Sequence, residues 1–279
     1  MKRVLLFCTG LLLCLGTLLP LSSLRKAMPP VDRLGRLPSP GVTYFASLEH
    51  KGLVSELVFY RTMFYYGALA GEEQRPDYMG LYTFVDTATR LNPYNIDAYY
   101  FAQAMLTWDA GMVKGVNVLL ERGLARRSWD ADLAFYLAFN NYYFLHDFDT
   151  AAKYFEVSAR LNPQVGYFAT LTARALYQAN KTDIAIAYLK NLLWHTTNAT
   201  LRKQLAMRLD ALERIAFLEK ARHDYEQKAD TQLRDLEELV RAGVLKAIPP
   251  DPYGGVFYID RNDGRIKTTS NLADTRNRK

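Results

Sequence analysis

The chain has little cysteine and little histidine, which limits the chemistry that it can perform. Both cysteines, Cys8 and Cys14, lie in one apolar run near the N-terminus, so residues 25–279 contain none. This excludes disulfides and cysteine metal sites from that part of the chain. The 4 histidines have no partner at metal-ligand or catalytic spacing. We therefore expect no metal site and no other cofactor.

Fingerprints of common enzyme classes are also missing. The chain contains no Gly-x-Ser-x-Gly, P-loop or dinucleotide-binding pattern. The most suggestive polar cluster, His146-Asp147-Phe148-Asp149, falls at a predicted turn between two helices. Asp147 and Asp149 are better explained there as turn and helix-capping residues. We expect no catalytic residues, and predict that the protein is not an enzyme.

A basic stripe of the kind that nucleic-acid-binding proteins carry is absent, so no nucleic-acid partner is predicted. The net charge of +6 is accounted for by Lys2, Arg3 and the residues after 260. The polar, basic residues 271–279 are expected to form a flexible tail. A contact between this tail and anionic lipid or an acidic partner is an alternative role.

The long apolar run is confined to the N-terminus. A helix over residues 4–24 would span roughly 31 Å, enough for a bilayer core. Residues 1–26 are therefore predicted to be a signal anchor that crosses a bacterial inner membrane once. Two alternatives stay open, namely a cleaved signal with a weak site at Leu21-Ser22-Ser23 and a lipoprotein signal at one of the cysteines. Residues 27–48, rich in proline, are predicted to be a spacer.

Charges around the apolar run leave the membrane orientation open. Lys2 and Arg3 before an apolar core are typical of a secretory signal, which places the body in the periplasm. The four cations between residues 25 and 36 outnumber them, and by the positive-inside rule they favour a cytoplasmic body. Export is our preferred interpretation.

Helical hairpins are predicted for the middle of the chain, most clearly over residues 135–163. A first helix is indicated by apolar residues at i, i+3, i+4 and i+7, which are Phe135, Ala138, Phe139 and Tyr142. A second helix carries Ala151, Phe155 and Ser158 and is closed by Pro163. Large residues alternate with small ones, as two closely crossed helices require.

This pattern resembles the tetratricopeptide repeat family, whose period is 34 residues. Moving by that period from Phe135 leads to Phe101 in one direction and Ala169 in the other, and Arg-Leu-Asn-Pro recurs at residues 90–93 and 160–163. The resemblance implies an all-α fold, an α-solenoid of helical hairpins over residues 49–198. A generic helical array, such as a Sel1-like solenoid, is the alternative.

In tetratricopeptide repeats, the first helix of each hairpin lines a concave groove that binds peptides. The resemblance therefore implies a protein-binding groove, and many of the 19 tyrosines cluster on these helices. The candidate groove residues are Tyr99, Asp109, Tyr136, Asn140, Tyr143, Tyr167, Arg174 and Tyr177. Tyrosine offers a large rigid surface with a polar tip, which is common at interfaces. Alternatively, about half of these tyrosines pack between repeats.

Residues 199–245 carry nine positive and nine negative side chains. This balance predicts long, exposed helices supported by i,i+4 ion pairs. An apolar stripe from Leu201 to Leu218 can cap the open end of the repeats, as the last unit of a solenoid requires. A coiled coil with a partner is the alternative use of this stripe.

Residues 246–270 are predicted to form a Pro/Gly turn and a β-hairpin around Asn262-Asp263-Gly264. An isolated hairpin is marginal in water, so it must dock on the preceding helix or on another protein. The segment is similar to part of the major pseudopilins of type II secretion systems, at Leu245, Pro249, Asp251, Pro252, Tyr253, Gly254 and Tyr258. The pseudopilin methylation signature is missing, so this resemblance implies at most a shared small β-fold or docking role.

Two functions are compatible with these patterns. The first is a membrane-anchored scaffold or adaptor that binds another protein through the tyrosine-rich groove, in assembly of a bacterial pilus, secretion or export complex. The second is a ligand-binding or catalytic protein whose pocket is closed by the C-terminal hairpin, with Arg174 and Tyr177 binding an anion.

The orientation can be decided directly. Alkaline phosphatase fused after residue 40 folds to an active enzyme only when it is exported. If the body is periplasmic, we expect phosphatase activity in intact cells. An inactive fusion, together with activity of a cytoplasmic reporter fused at the same point, would place the body in the cytoplasm.

Overall fold

The computed structural model describes residues 34–69 and 74–272, together with the isolated residue Gly16. The predicted anchor, apart from Gly16, and residues 273–279 of the predicted tail lie outside the described residues. Helices predominate, and one two-stranded antiparallel hairpin lies near the C-terminal end. None of the described helices is both long and apolar enough to cross a membrane. The mostly helical fold and the small hairpin agree with the predicted class.

The chain divides into two compact units, Met1–Leu119 and Leu120–Lys279, which we describe separately. Helices of the first unit are α1 (Pro40–Ala46), a 3-10 turn (Leu48–His50), α2 (Lys51–Ala68), α3 (Tyr78–Leu91) and α4 (Ile96–Phe101), which continues as a π-helical turn (Ala102–Leu106). Helix α5 (Val113–Arg126) contains the division. Helices of the second unit are α6 (Ala131–Asn140) with its π-helical turn (Asn141–Leu145), α7 (Phe148–Leu161), α8 (Gly166–Gln178), α9 (Thr182–His195), α10 (Ala199–Ala229) and α11 (Glu237–Arg241).

Residues 27–33 of the predicted spacer lie outside the described residues, and its remaining part, residues 34–48, contains a helix. Helix α1 begins at Pro40, and the Ser39 side chain accepts a hydrogen bond from the Val42 amide at 3.4 Å. Proline is well tolerated in the first turn, because its missing N–H would have no intrahelical partner there. The proline content that predicted a spacer therefore does not prevent a helix here, because Pro40 occupies the first turn.

Helices α2 and α3 of the first unit form an antiparallel pair. Near the start of α2, the Ser55 hydroxyl donates to the carbonyl oxygen of Ala88, near the end of α3, at 2.9 Å. At the other end of the pair, the Asp77 amide donates to the Tyr65 hydroxyl at 2.9 Å. The α3 side chains Leu81, Val85 and Ala88 are completely buried. These residues recur at i, i+4 and i+7, so one face of α3 is buried.

In the second unit, α6 and α7 pair in the same way. The Ser158 hydroxyl near the end of α7 donates to the Ala131 carbonyl at the start of α6, at 3.1 Å. At the opposite end the rings of Tyr142 and Phe148 lie 5.3 Å apart. Asp147 caps α7 by accepting from the Thr150 amide at 3.0 Å. The prediction had offered Asp149 for this cap; its carboxylate instead pairs with Lys181 at 2.6 Å.

The long helix α10 supplies much of the core of the second unit. Its side chains Leu205, Leu212, Ile215 and Leu218 are buried in one cluster with residues of α8, α9 and the hairpin. The stripe is therefore used inside the unit and is not available for a coiled coil. Phe217, which the sequence placed in this stripe, is 53% exposed.

Strands β1 (Phe257–Ile259) and β2 (Ile266–Thr268) pair antiparallel, with Phe257 opposite Thr268. Gly264 in the predicted turn has a φ of +69°, a left-handed conformation that glycine adopts without steric cost. Phe257 and Ile266 are buried in the same cluster as the stripe of α10. The hairpin thus docks within its own unit, on α8 and α10.

The core position of Leu212 leads to a stability prediction. Leu212→Ala removes a completely buried side chain and should lower the free energy of unfolding by about 2–5 kcal/mol. Phe217→Ala, on the exposed face of the same helix, should change it by less than about 0.5 kcal/mol. Urea unfolding followed by circular dichroism measures both. Equal effects of the two substitutions would contradict the burial of this stripe.

Candidate functional site

The predicted groove residues divide between the core and the surface. Three are buried, namely Tyr99, Asn140 and Tyr177. Five are partly or fully exposed, namely Asp109, Tyr136, Tyr143, Tyr167 and Arg174. The prediction of a groove lining is therefore wrong for the buried three, which are core side chains.

Tyr177 is the point on α8 where the C-terminal hairpin docks. Its hydroxyl donates to the carbonyl oxygen of Ile266 at 2.6 Å. The Arg265 guanidinium lies 4.6 Å from the centre of the Tyr177 ring and donates to the backbone carbonyls of Tyr177 and Gln178. Burial raises the pKa of the Tyr177 phenol to about 12, so the group stays protonated and remains a donor. This tyrosine holds the hairpin to the helix.

The predicted anion pocket at Arg174 and Tyr177 is small. The cavity that these residues share with Lys267 of the hairpin has a volume of about 40 Å³. Ligand sites for organic molecules measure about 300–1,000 Å³, whereas a cavity of this size holds only water. The ligand pocket expected beneath the hairpin is therefore not formed at this place.

In the first unit, the exposed carboxylate of Asp109 accepts a hydrogen bond from the hydroxyl of Tyr66. This hydrogen bond, more than burial, raises the pKa of Tyr66 to about 12. Asp109 thus lies on the surface and is held in place by a tyrosine of α2.

An aromatic surface crosses the second unit, and we define it by Phe135, Phe139, Tyr143 and Tyr167. The rings of Phe139 and Tyr143 stack at 5.4 Å with an interplanar angle of 10°. Phe135 continues the row, at 6.1 Å from Phe139 and 6.4 Å from Tyr167. The two ends of the row are the most open, since Tyr143 is 54% and Tyr167 57% exposed. Residues of α6 and α8 thereby form one continuous aromatic face.

A larger cavity, of about 660 Å³, opens beside Tyr167. Its walls are the turn before α8, the first turns of α8 and α10, and Tyr253. We call it the Arg208 cavity, after the arginine of α10 that lines it and is only 9% exposed. The Arg208 guanidinium lies 5.3 Å from the centre of the Tyr253 ring, and its Nε and Nη1 have no hydrogen-bond partner in the part of the chain that the structure describes. Burial lowers the pKa of Arg208, although a guanidinium remains charged at neutral pH.

Asp251 fixes the position of Tyr253. Its buried carboxylate accepts hydrogen bonds from the amides of Tyr253 at 2.9 Å and Gly255 at 3.2 Å, and from the hydroxyl of Thr268. A Cβ at Gly255 would lie 2.6 Å from this carboxylate, so only glycine fits there. The Pro-Asp-Pro-Tyr-Gly-Gly segment therefore forms a rigid turn that places one aromatic ring over Arg208.

Sequence reasoning missed the Arg208 cavity, although a signal was present. Arg208 follows Leu205 by three residues and precedes Leu212 by four, so helical periodicity places it on the buried face of α10. An arginine within an apolar stripe marks a position where a charge enters the core.

Within residues 34–69 and 74–272, no group of histidine, cysteine or acidic side chains is arranged to hold a metal ion. No protein-family model matches the chain, and no curated protein is similar to it. Function must therefore be inferred from the geometry of the aromatic surface and of the Arg208 cavity.

The docking role of Tyr177 can be measured. Tyr177→Phe leaves the buried carbonyl of Ile266 without its donor and should cost about 1–3 kcal/mol of unfolding free energy. Hydrogen exchange of the hairpin amides should accelerate in this variant. Tyr143→Phe, an exposed control, should change neither quantity.

A pH series gives an independent check. Because the folded-state pKa of Tyr177 is raised to about 12, its stabilisation is complete below pH about 10 and is lost as the pH rises through about 12. Tyr177→Phe should remove this part of the alkaline loss of stability. If hydrogen exchange of the hairpin amides were unchanged in Tyr177→Phe, the docking role of Tyr177 would be contradicted.

Proposed function

We propose that this protein is a non-enzymatic scaffold of the tetratricopeptide type, which binds a segment of another protein on the aromatic surface of its second unit. Residues 4–24 anchor it to a bacterial inner membrane, the body lies in the periplasm, and the bound protein belongs to an envelope assembly such as a pilus, secretion or export complex. The observation that carries the binding function is the continuous row of aromatic rings, which is exposed at its two ends, Tyr143 and Tyr167.

The positions of the helices support the repeat assignment. Within the first unit, α2 and α3 form one hairpin, and α3 ends at Leu91, within the Arg-Leu-Asn-Pro of residues 90–93. Within the second unit, α6 to α9 coincide with the helices of two further predicted repeats. Each repeat then contributes one hairpin to an α-solenoid.

Contacts between residues one repeat apart support the same assignment. In the first unit the Tyr82 hydroxyl donates to the Gly115 carbonyl at 3.4 Å, and in the second the Tyr154 hydroxyl donates to Glu121 at 3.3 Å. Both pairs are separated by 33 residues. A repeat of about 34 residues stacks equivalent helices side by side and produces contacts at this separation.

The chemistry of the aromatic surface favours a protein segment as its ligand. Tyr143 and Tyr167 combine a wide apolar face with a hydroxyl that can hydrogen-bond to a peptide backbone. Aromatic residues are enriched at protein interfaces, where a few of them carry most of the binding energy. An extended segment with aliphatic or proline side chains can lie across the row, covering rings from two successive hairpins at once.

The double variant Tyr143→Ala with Tyr167→Ala tests this function. Both side chains are more than half exposed, so the fold should persist. Partner capture from a detergent extract should fall at least tenfold, which corresponds to about 1.4 kcal/mol of binding free energy. Affinity purification with quantitative mass spectrometry measures the loss.

Trp194→Ala provides the matched control. Trp194 is an aromatic side chain of α9 that is 85% exposed and lies outside the aromatic surface. This variant should capture envelope proteins as well as the unaltered chain does. If the double variant retained every captured protein, or if no envelope protein was captured at all, the proposal would be refuted.

A further inference from the structure

We infer that the Arg208 cavity is a binding site for a small organic anion, with a carboxylate or phosphate group that pairs with Arg208 and an apolar body that lies against Leu201 and Met207. This site would bind a different class of ligand from the aromatic surface, with which it shares only Tyr167. The inference does not depend on the proposed function. It also differs from the anion site predicted at Arg174 and Tyr177, which is too small.

The first argument is the state of the Arg208 side chain. An arginine that is 9% exposed is almost fully removed from water, and a buried charge is costly unless it is paired and hydrogen-bonded. Among the described residues, its Nε and Nη1 have no hydrogen-bond partner, and the face of the Tyr253 ring lies 5.3 Å from the guanidinium. Arg208 also lines the cavity, and its third guanidinium nitrogen, Nη2, is not among these enclosed, unpartnered atoms. An oxyanion there would supply the missing counter-charge.

The second argument is the electrostatic character of the walls. Lys203 adds a second cation, and no Asp or Glu is among the described residues that line the cavity. Arg174, another cation, also lowers the pKa of Arg208, after the larger effect of burial. A positive cavity without an acidic residue selects anions.

The third argument is the start of helix α8. Its first residues, Gly166 and Tyr167, line the cavity. No side chain caps this helix, and its first turn contains no acidic residue. The N-terminal end of a 13-residue helix carries a partial positive charge and unpaired amides, which favour a bound anion. The N-terminal end of α8 and the Arg208 guanidinium therefore both favour an anion in the same cavity.

The size and the apolar part of the lining define the rest of the ligand. A volume of about 660 Å³ falls within the usual range for small-molecule sites. Leu201, Met207 and the ring of Tyr167 give the cavity an apolar wall. Inorganic phosphate alone would leave this wall in contact with water, so an anion with an aliphatic or aromatic body should bind more tightly.

Three probes of the same chain length test the inference by calorimetry on the full protein in detergent. Hexanoate carries a carboxylate, hexyl phosphate carries a phosphate, and hexanamide is neutral. At least one of the two anions should bind tenfold or more tightly than hexanamide, and the stronger of them identifies the preferred head group. Arg208→Met keeps the volume of the side chain but removes the charge, and should weaken anion binding at least tenfold.

Lys220→Met is the control, because Lys220 is an exposed cation of the same helix outside the cavity. It should leave anion binding unchanged. The comparison of hexanoate with hexanamide on the unaltered chain decides the question even if Arg208→Met does not fold. Equal binding of charged and neutral probes, or full binding by a folded Arg208→Met, would overturn the inference. So would binding of an acidic peptide at this site without binding of either small anion.

Discussion

The apolar stripe of α10 is the surface on which the second unit is assembled. Burial of one large aliphatic side chain stabilises a fold by about 1.5–3 kcal/mol, and Leu205, Leu212, Ile215 and Leu218 are all buried in a single cluster. The cluster also includes residues of α8, α9 and the C-terminal hairpin. A two-stranded hairpin is marginal alone, so its structure depends on this helix. The hairpin and the last helices therefore fold as one body.

The periodicity of α10 also explains why a charged side chain, Arg208, is buried in the second unit. Helical periodicity carries Arg208 to the buried face of α10, because Leu205 and Leu212 lie three residues before it and four after it. The Tyr253 ring offsets part of the cost of burying the guanidinium. The Asp251 carboxylate stabilises the backbone turn that positions the Tyr253 ring. The C-terminal segment, although short, therefore shapes the Arg208 cavity.

Local patterns and long-range contacts differ in how well the sequence predicts them. Helices, their pairing and the hairpin follow from periodicity, caps and turn residues, all of which act over a few positions. The burial of Tyr177 could not be predicted from local patterns. Tyr177 is covered by Ile266, which lies 89 residues further along the chain. Tyr143 and Tyr177 were assigned to one surface by the same repeat register, yet only Tyr177 lies beneath the hairpin. The Arg208 cavity likewise needs Tyr253, whose approach to α10 is set by tertiary packing.

Tyr167 belongs to both surfaces of the second unit. Its ring ends the aromatic row at 6.4 Å from Phe135, and it also lines the Arg208 cavity. If a partner segment covers this ring, it alters one wall of the anion site, and a bound anion in turn fixes the ring that the segment contacts. Coupling of two ligands through a shared group is reciprocal, so each must change the affinity of the other by the same factor. Tyr143, at the far end of the row, is absent from the cavity wall. The two proposed binding functions should therefore be separable at Tyr143 and linked at Tyr167.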